Sequence, residues 1–286
     1  MNCNFGALPK QFTDYKKSKI VILPVPFDKT STWVKGTNRG PRAIIEASAN
    51  IELYDIETDT EVYRKGVFTA KEILSPDSKT MVAAVYKKVK DFLNDKKIVV
   101  TLGGEHSVSI GAIKAHSNIF PKMSVLHLDA HADRRKIYQG NKYNHACTMA
   151  RAKEIVKNTL SVGIRSADRL ELKDIDKKEI FYAHKIYNSI SWIKTAINRL
   201  TEDVYITIDL DVFDVGIMPS TGTPEPGGLD WYLVINFLKE VARNKKIIGF
   251  DVVELCPTQN KAPDFLAAKL IYKILSYKFS SFSGNE

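Results

Sequence analysis

Cysteine is scarce in this chain. Three occur in 286 residues, Cys3, Cys147 and Cys256, odd in number and far apart. That spacing does not make a disulfide framework; it suits a reducing compartment, and the cytoplasm is the expected location. Long hydrophobic runs are missing too. No apolar stretch approaches the roughly 18 residues that span a bilayer, and Met1-Asn2-Cys3-Asn4-Phe5 lacks the basic-then-apolar plan of a signal peptide. Membrane function is therefore not expected. Repeats, low-complexity tracts and evident linkers are absent, so residues 1–286 are read as one domain. A net charge of +9 raises nucleic acid as a partner, but the lysines are scattered in pairs such as Lys16-Lys17, Lys87-Lys88 and Lys96-Lys97. No basic stripe with interleaved aromatics occurs, and no nucleic-acid motif does, so the charge reads as a solvated surface.

What is present is an ordinary globular composition, 44% hydrophobic and 26% charged, on a chain long enough for a sizeable core. Short apolar runs read as buried strands at Ile20 to Pro26, Ile98 to Leu102, Val125 to Leu128, Leu160 to Ile164, Val204 to Asp211 and Ile247 to Val252. Between them lie helical patterns. The clearest, Ser78 to Leu93, places Met81, Val82, Val85, Val89 and Phe92 on one face. Others cover Arg42 to Ala49, opened by Pro41, then Val108 to His116, Ala146 to Lys157, Ile190 to Leu200, Leu229 to Ala242 and Pro263 to Phe279. The stretch Glu52 to Glu72 is polar and predicts short strands or irregular structure. Strands alternating with helices imply an α/β fold: three α/β/α layers around a central, mostly parallel sheet.

Four of these strands end in chemistry. His106 follows one, Asp129, His131 and Asp133 a second, Asp209 and Asp211 a third, and Glu254 comes just past the last. Ligands of open parallel sheets bind outside the carboxyl ends of the strands, so these exits predict a single site. Asp129, His131 and Asp133 stand at i, i+2 and i+4, as Asp209 and Asp211 stand at i and i+2. Side chains alternate across a strand, so each set is expected to leave the backbone on one side. Two imidazoles and four carboxylates are too many for a structural zinc, which takes four ligands. They suit a pair of divalent cations bridged by carboxylates; mixed donors favour Mn²⁺, with Zn²⁺, Fe²⁺ and Co²⁺ open. Such a pair would make a nucleophile of water at neutral pH.

The motifs Gly103-Gly104-Glu105-His106-Ser107, Asp129-Ala130-His131-Ala132-Asp133 and Asp209-Leu210-Asp211 resemble the metal motifs of the arginase/agmatinase (ureohydrolase) family. So do Thr221-Gly222-Thr223-Pro224-Glu225-Pro226-Gly227-Gly228 and Asp251-Val252-Val253-Glu254-Leu255-Cys256-Pro257, and the likeness runs from about Pro24 to Leu270. Gly36 to Tyr54 and Lys142-Tyr143-Asn144-His145-Ala146-Cys147 look most like prokaryotic agmatinases. The resemblance implies one Mn²⁺ on His106, Asp129, Asp133 and Asp209. A second would sit on His131, Asp129, Asp209 and Asp211, with Asp129 and Asp209 bridging. It implies Glu254 as partner of the substrate guanidinium, Asp133 as proton relay, and His145 as proton carrier to the leaving amine after attack by a bridging hydroxide. A homo-oligomer, trimer or hexamer, is implied as well.

The expected substrate is agmatine, a small cationic guanidino compound. The loop Arg134-Arg135-Lys136-Ile137-Tyr138-Gln139-Gly140-Asn141 lacks the Asn/Thr/Ser-rich run of arginases, which argues against arginine, while its two arginines keep guanidinobutyrate in play. N1-aminopropylagmatine is a further alternative. Outside the class stand a metal-dependent deacetylase, which usually carries adjacent histidines that this chain lacks, and an inactive binding protein on the same fold. His127 is read as a buried hydrogen-bonded group and not a ligand, His116 and His184 as surface residues, Cys147 as a small buried thiol, Cys256 as a feature of the pocket edge, and Pro224 to Gly228 as a rigid loop framing the entrance.

Overall fold

The computed structural model describes residues 4–280 apart from 174, so Cys3 lies outside the described residues. Its centre is one eight-stranded sheet in which every assigned pairing is parallel. The strands are β1 (Ile20–Val25), β2 (Val67–Thr69), β3 (Ile98–Gly103), β4 (Ser124–Leu128), β5 (Asn158–Ile164), β6 (Ile180–Tyr182), β7 (Asp203–Asp209) and β8 (Lys246–Val253). They lie side by side in the order β2-β1-β3-β8-β7-β4-β5-β6. The helices are α1 (Gly40–Ser48), α2 (Ser78–Asn94), α3 (Ser109–Ile119), α4 (Thr148–Ile155), α5 (Ala183–Ile186), α6 (Ser191–Arg199), α7 (Trp231–Asn244) and α8 (Ala262–Phe279). Asp77 and Asp230 start α2 and α7 by accepting the free N–H groups of Thr80 and Leu233.

Alternation along each strand divides the apolar side chains between two cores. Ile20 and Ile22 of β1 join α1, α6, α7 and α8 on one face, and Val21, Leu23 and Val25 join α2, α3 and α4 on the other. Both faces are therefore dry, which is why the strands read as continuous apolar runs. Each fully buried Val, Leu or Ile contributes about 1.5–3 kcal/mol. The three-layer expectation holds. β6 and α5 were not foreseen, because Ile180–Tyr182 and Ala183–Ile186 are too short to carry a period. β2 falls in the stretch expected to hold short strands.

His116 departs from its expected surface place: it is fully buried. α3 packs against both α2 and the sheet, and the ring lies 4.5 Å from that of Tyr205 while Nδ1 bonds the Ala112 carbonyl at 2.9 Å. Gly249 makes the room, since a Cβ there would lie 2.3 Å from His116 Nε2. Burial pushes the ring down to about 4, so it packs as a neutral group. His184 is exposed, as expected.

Candidate metal centre

β3, β4, β7 and β8 are consecutive in space as β3-β8-β7-β4, and their carboxyl ends open on one cavity of about 400 Å³. The strands stop before the chemistry begins. β4 ends at Leu128 and β7 at Asp209, so Asp129 to Asp133 and Asp211 are carried by loop and turn and not by strand alternation. Strand alternation, the expected cause of their convergence, therefore does not operate beyond Leu128 and Asp209. The side chains still meet, because the loops fold on themselves: the Asp209 carboxylate accepts the Asp211 N–H at 2.9 Å, and Asp211 accepts the Ala130 N–H at 2.9 Å. Asp133 and Glu254 hold left-handed backbone, φ 52° and 65°, which non-glycine residues adopt at a cost of about 1–2 kcal/mol. Gly104 is required by its neighbours, since a Cβ would fall 2.0 Å from the Phe27 carbonyl oxygen.

His106 Nδ1 points into a ring of carboxylates: Asp133 Oδ2 at 3.0 Å, Asp129 Oδ2 at 3.1 Å and Asp209 Oδ2 at 3.5 Å. It is buried and makes no well-formed hydrogen bond to any of them. A second nucleus lies beside it, where His131 Nδ1 is 2.8 Å from Asp211 Oδ2 and 3.6 Å from Asp129 Oδ1. Asp129 belongs to both. Among the described residues, two groups are close enough to hold an ion: His106, His127, Asp129 and Asp133, and Asp129, His131 and Asp211. An orphaned ring nitrogen facing several carboxylate oxygens, with hard oxygen and imidazole donors throughout, fits divalent cations.

Charge says the same. Burial pushes Asp209 well above the ordinary carboxylate range, helped by Asp211 and Asp129, and burial with Asp129 carries Asp133 up to about 7. Burial opposes a charge on His106 and His131 too, yet the surrounding carboxylates drive both rings well above 6.5. Asp129 is held low: burial raises it, but His127, His106 and His131 outweigh that. These groups crowd negative charge into a dry place and draw positive charge to it.

A surrounding shell holds the donors in place. His106 Nε2 lies 2.9 Å from Thr207 Oγ1, which donates to Asp251 at 2.7 Å; Tyr205 donates to the other Asp251 oxygen at 2.6 Å. This chain leaves Nδ1 as the nitrogen turned to the carboxylates. Reading the motifs alone overlooked it, although Tyr205 and Thr207 alternating with buried isoleucines were a signal. His127 bonds Asp129 Oδ2 at 2.7 Å and Ser161 Oγ at 3.0 Å, so both its nitrogens are engaged. Arg165, also overlooked, bonds the Asp211 carbonyl at 2.6 Å and the Glu225 carbonyl at 2.8 Å, tying the Asp211 turn to the Pro/Gly loop.

Glu254 and His145 border the same cavity. Glu254 accepts the His106 N–H at 2.7 Å and is pushed well above its usual range by burial and by Glu105. His145 stands at the start of a short turn before α4, and burial, with the His106 and His131 rings nearby, pushes it down to about 4. Of the two loop arginines, Arg135 lines the cavity but faces Asp168 and Glu171 at 3.7 and 3.8 Å. Arg134 is directed to Thr159 and Glu179 instead. Cys147 is buried, and Cys256 is buried with its sulfur on the Lys35 carbonyl.

The fold and this set of side chains define a class. The Arginase family model matches residues 18–276, and the chain belongs to that family, as an arginase-family ureohydrolase. Within it, the chain is 36% identical to the N(1)-aminopropylagmatine ureohydrolase of Synechocystis, over 96% of this chain and 95% of that protein. It is 33% identical to the agmatinase of Pyrococcus horikoshii, over 92% and 93%. Among solved structures, the agmatine ureohydrolase of Thermoplasma volcanium superposes with a TM-score of 0.85 at 32% identity, covering 93% of this chain and 92% of that one. The chain is thus an enzyme of the kind that hydrolyses guanidino compounds, and no helix among the described residues is long and apolar enough to cross a membrane.

Proposed function

We propose that this chain is a two-metal hydrolase of a linear cationic guanidino amine, agmatine first, releasing urea and leaving putrescine. One observation carries the reading: His106, His131, Asp133 and Asp209 line one cavity with Glu254 and His145, and Asp129 and Asp211 lie against the His106 and His131 rings. One Mn²⁺ would be held by His106, Asp129, Asp133 and Asp209, and a second by His131, Asp129, Asp209 and Asp211. When bound, such a pair supplies Lewis acidity and acidifies water. Glu254 offers a desolvated carboxylate to the planar guanidinium, a forked cation that stays protonated. Asp133 and His145 hold and move the proton, His145 toward the departing amine. Assembly as a homo-oligomer and a cytoplasmic location belong to the same reading, the first by family likeness and the second by cysteine usage.

N1-aminopropylagmatine is the second reading. The Synechocystis relative favours it. Urea release with Mn²⁺ from agmatine, N1-aminopropylagmatine, guanidinobutyrate and arginine tests both. One of the two amines is expected to exceed the carboxylate substrates in kcat/KM by about tenfold or more. Urea from none of the four would sink the reading.

A further inference from the structure

Thr30 lies on the loop after β1, 115 residues before His145 in the chain, and its hydroxyl touches that histidine twice. Thr30 Oγ1 is 3.3 Å from His145 Nδ1 and accepts the His145 backbone N–H at 3.1 Å. The same hydroxyl donates to Glu105 Oε1 at 2.5 Å. Glu105 is fully buried, and its other oxygen takes the backbone N–H groups of Thr30 at 2.5 Å and Ser31 at 3.2 Å. Ser107 adds its hydroxyl to Oε1 at 2.5 Å. The loop is held from behind as well, by the Glu105 N–H on the Phe27 carbonyl at 2.8 Å.

A hydroxyl has one proton and two lone pairs. Thr30 gives its proton to Glu105, and one lone pair is taken by the His145 backbone N–H. What remains for Nδ1 is an acceptor, so Nδ1 must carry the hydrogen. Nε2, with no partner among the described residues, is then the bare nitrogen of the neutral ring. We infer that Glu105 and Thr30 are positioning residues that fix the tautomer of His145, leaving Nε2 as its proton acceptor in the reaction. This rests on the reading of His145 as a proton carrier. It gives the Glu105 of the Gly103-Gly104-Glu105-His106 motif a task separate from metal holding, and the same loop carries Ser31, Thr32 and Trp33 into the lining of the cavity that His145 borders.

Three variants and one spectrum test it. In the manganese-loaded enzyme, Thr30→Val keeps the shape and removes the hydroxyl; kcat is expected to fall about 10- to 100-fold with KM and bound metal unchanged. Thr30→Ser is expected to recover most of that loss. His145→Asn is run beside them. If it keeps full rate, the proton-carrier reading fails. If it is crippled while Thr30→Val is not, only the Thr30 inference fails. Nitrogen-15 NMR of histidine-labelled protein loaded with diamagnetic Zn²⁺ reads the tautomer without turnover: His145 is expected to be protonated on Nδ1 in the parent and to lose that preference in Thr30→Val. An Nε2-protonated ring in the parent overturns the inference.

Discussion

On α8, Lys273 meets two acids: both Asp55 oxygens lie 3.0 Å from its ammonium, and Glu57 joins them. Lys239 reaches Glu57 at 3.0 Å, and Tyr277 donates to it at 2.7 Å. Two acids meet two lysines, and the cluster closes on itself. At the carboxyl end of the sheet four aspartates meet the rings of His106, His127 and His131, and His106 Nδ1 makes no hydrogen bond. Both regions bury charge. The first is balanced by its own side chains and serves the fold; the second is short of positive charge and is complete only with something bound. Balance, rather than burial, separates a structural ion cluster from a site.

The sharpest way to break this comparison is Asp209→Asn. Bound metal is expected to be lost, measured by elemental analysis, and kcat/KM to fall by more than about 100-fold, beyond what outer partners alone cost. In the metal-free state the same variant is expected to melt no lower than the parent, since a crowded buried carboxylate has been removed. Full metal content and rate in Asp209→Asn would contradict its place in the site. Lys273→Met is the opposite case. It strands Asp55 in the interior, and stability is expected to drop by about 3–5 kcal/mol in urea unfolding, with turnover per folded molecule unchanged. Equal stability would show that the α8 cluster is not self-balanced.

Thr207→Val probes the shell that turns His106. Metal affinity is expected to weaken about 10- to 100-fold in a chelator competition, with the melting temperature of the metal-free protein little altered. The smallest effect belongs to Glu57. Burial pushes its carboxyl up, but Lys273, Tyr277 and Lys239 overrule that and hold it at about 2, below the ordinary 4.5. A carboxyl lowered in the folded state stabilises above its unfolded pKa and loses that contribution as pH falls through the folded one. Glu57→Gln is therefore expected to be less stable than the parent at neutral pH by about 1 kcal/mol, with the gap closing between pH 4.5 and 2. A gap that persists at pH 2 would assign the loss to packing.

Much of the site was legible before any coordinates. The six donors and Glu254 are named by motifs at strand exits and His145 by the loop before α4; His106, His131, Asp133, Asp209, Glu254 and His145 line one cavity, with Asp129 and Asp211 against the His106 and His131 rings. The reason offered for their convergence was incomplete, because β4 and β7 end before Asp133 and Asp211. Turn hydrogen bonds and left-handed backbone at Asp133 and Glu254 do that work, and neither leaves a period in the sequence. His116 was misplaced because a lone histidine near a helix end looks solvated until Gly249 is seen to face it.

The order of the residues alone dictated the three layers, the parallel sheet and which side chains carry chemistry. Hydrophobic period and donor type are local properties, and the strand-exit rule needs only their positions along the chain. Packing in space settled the rest: the strand order that sets β8 between β3 and β7, the Asp251–Thr207 support of His106, the Arg165 tie, and the meeting of Thr30 with His145. Those contacts join segments tens to more than a hundred residues apart. Which distant segments touch is governed by how the layers stack, and no short window of sequence contains that information.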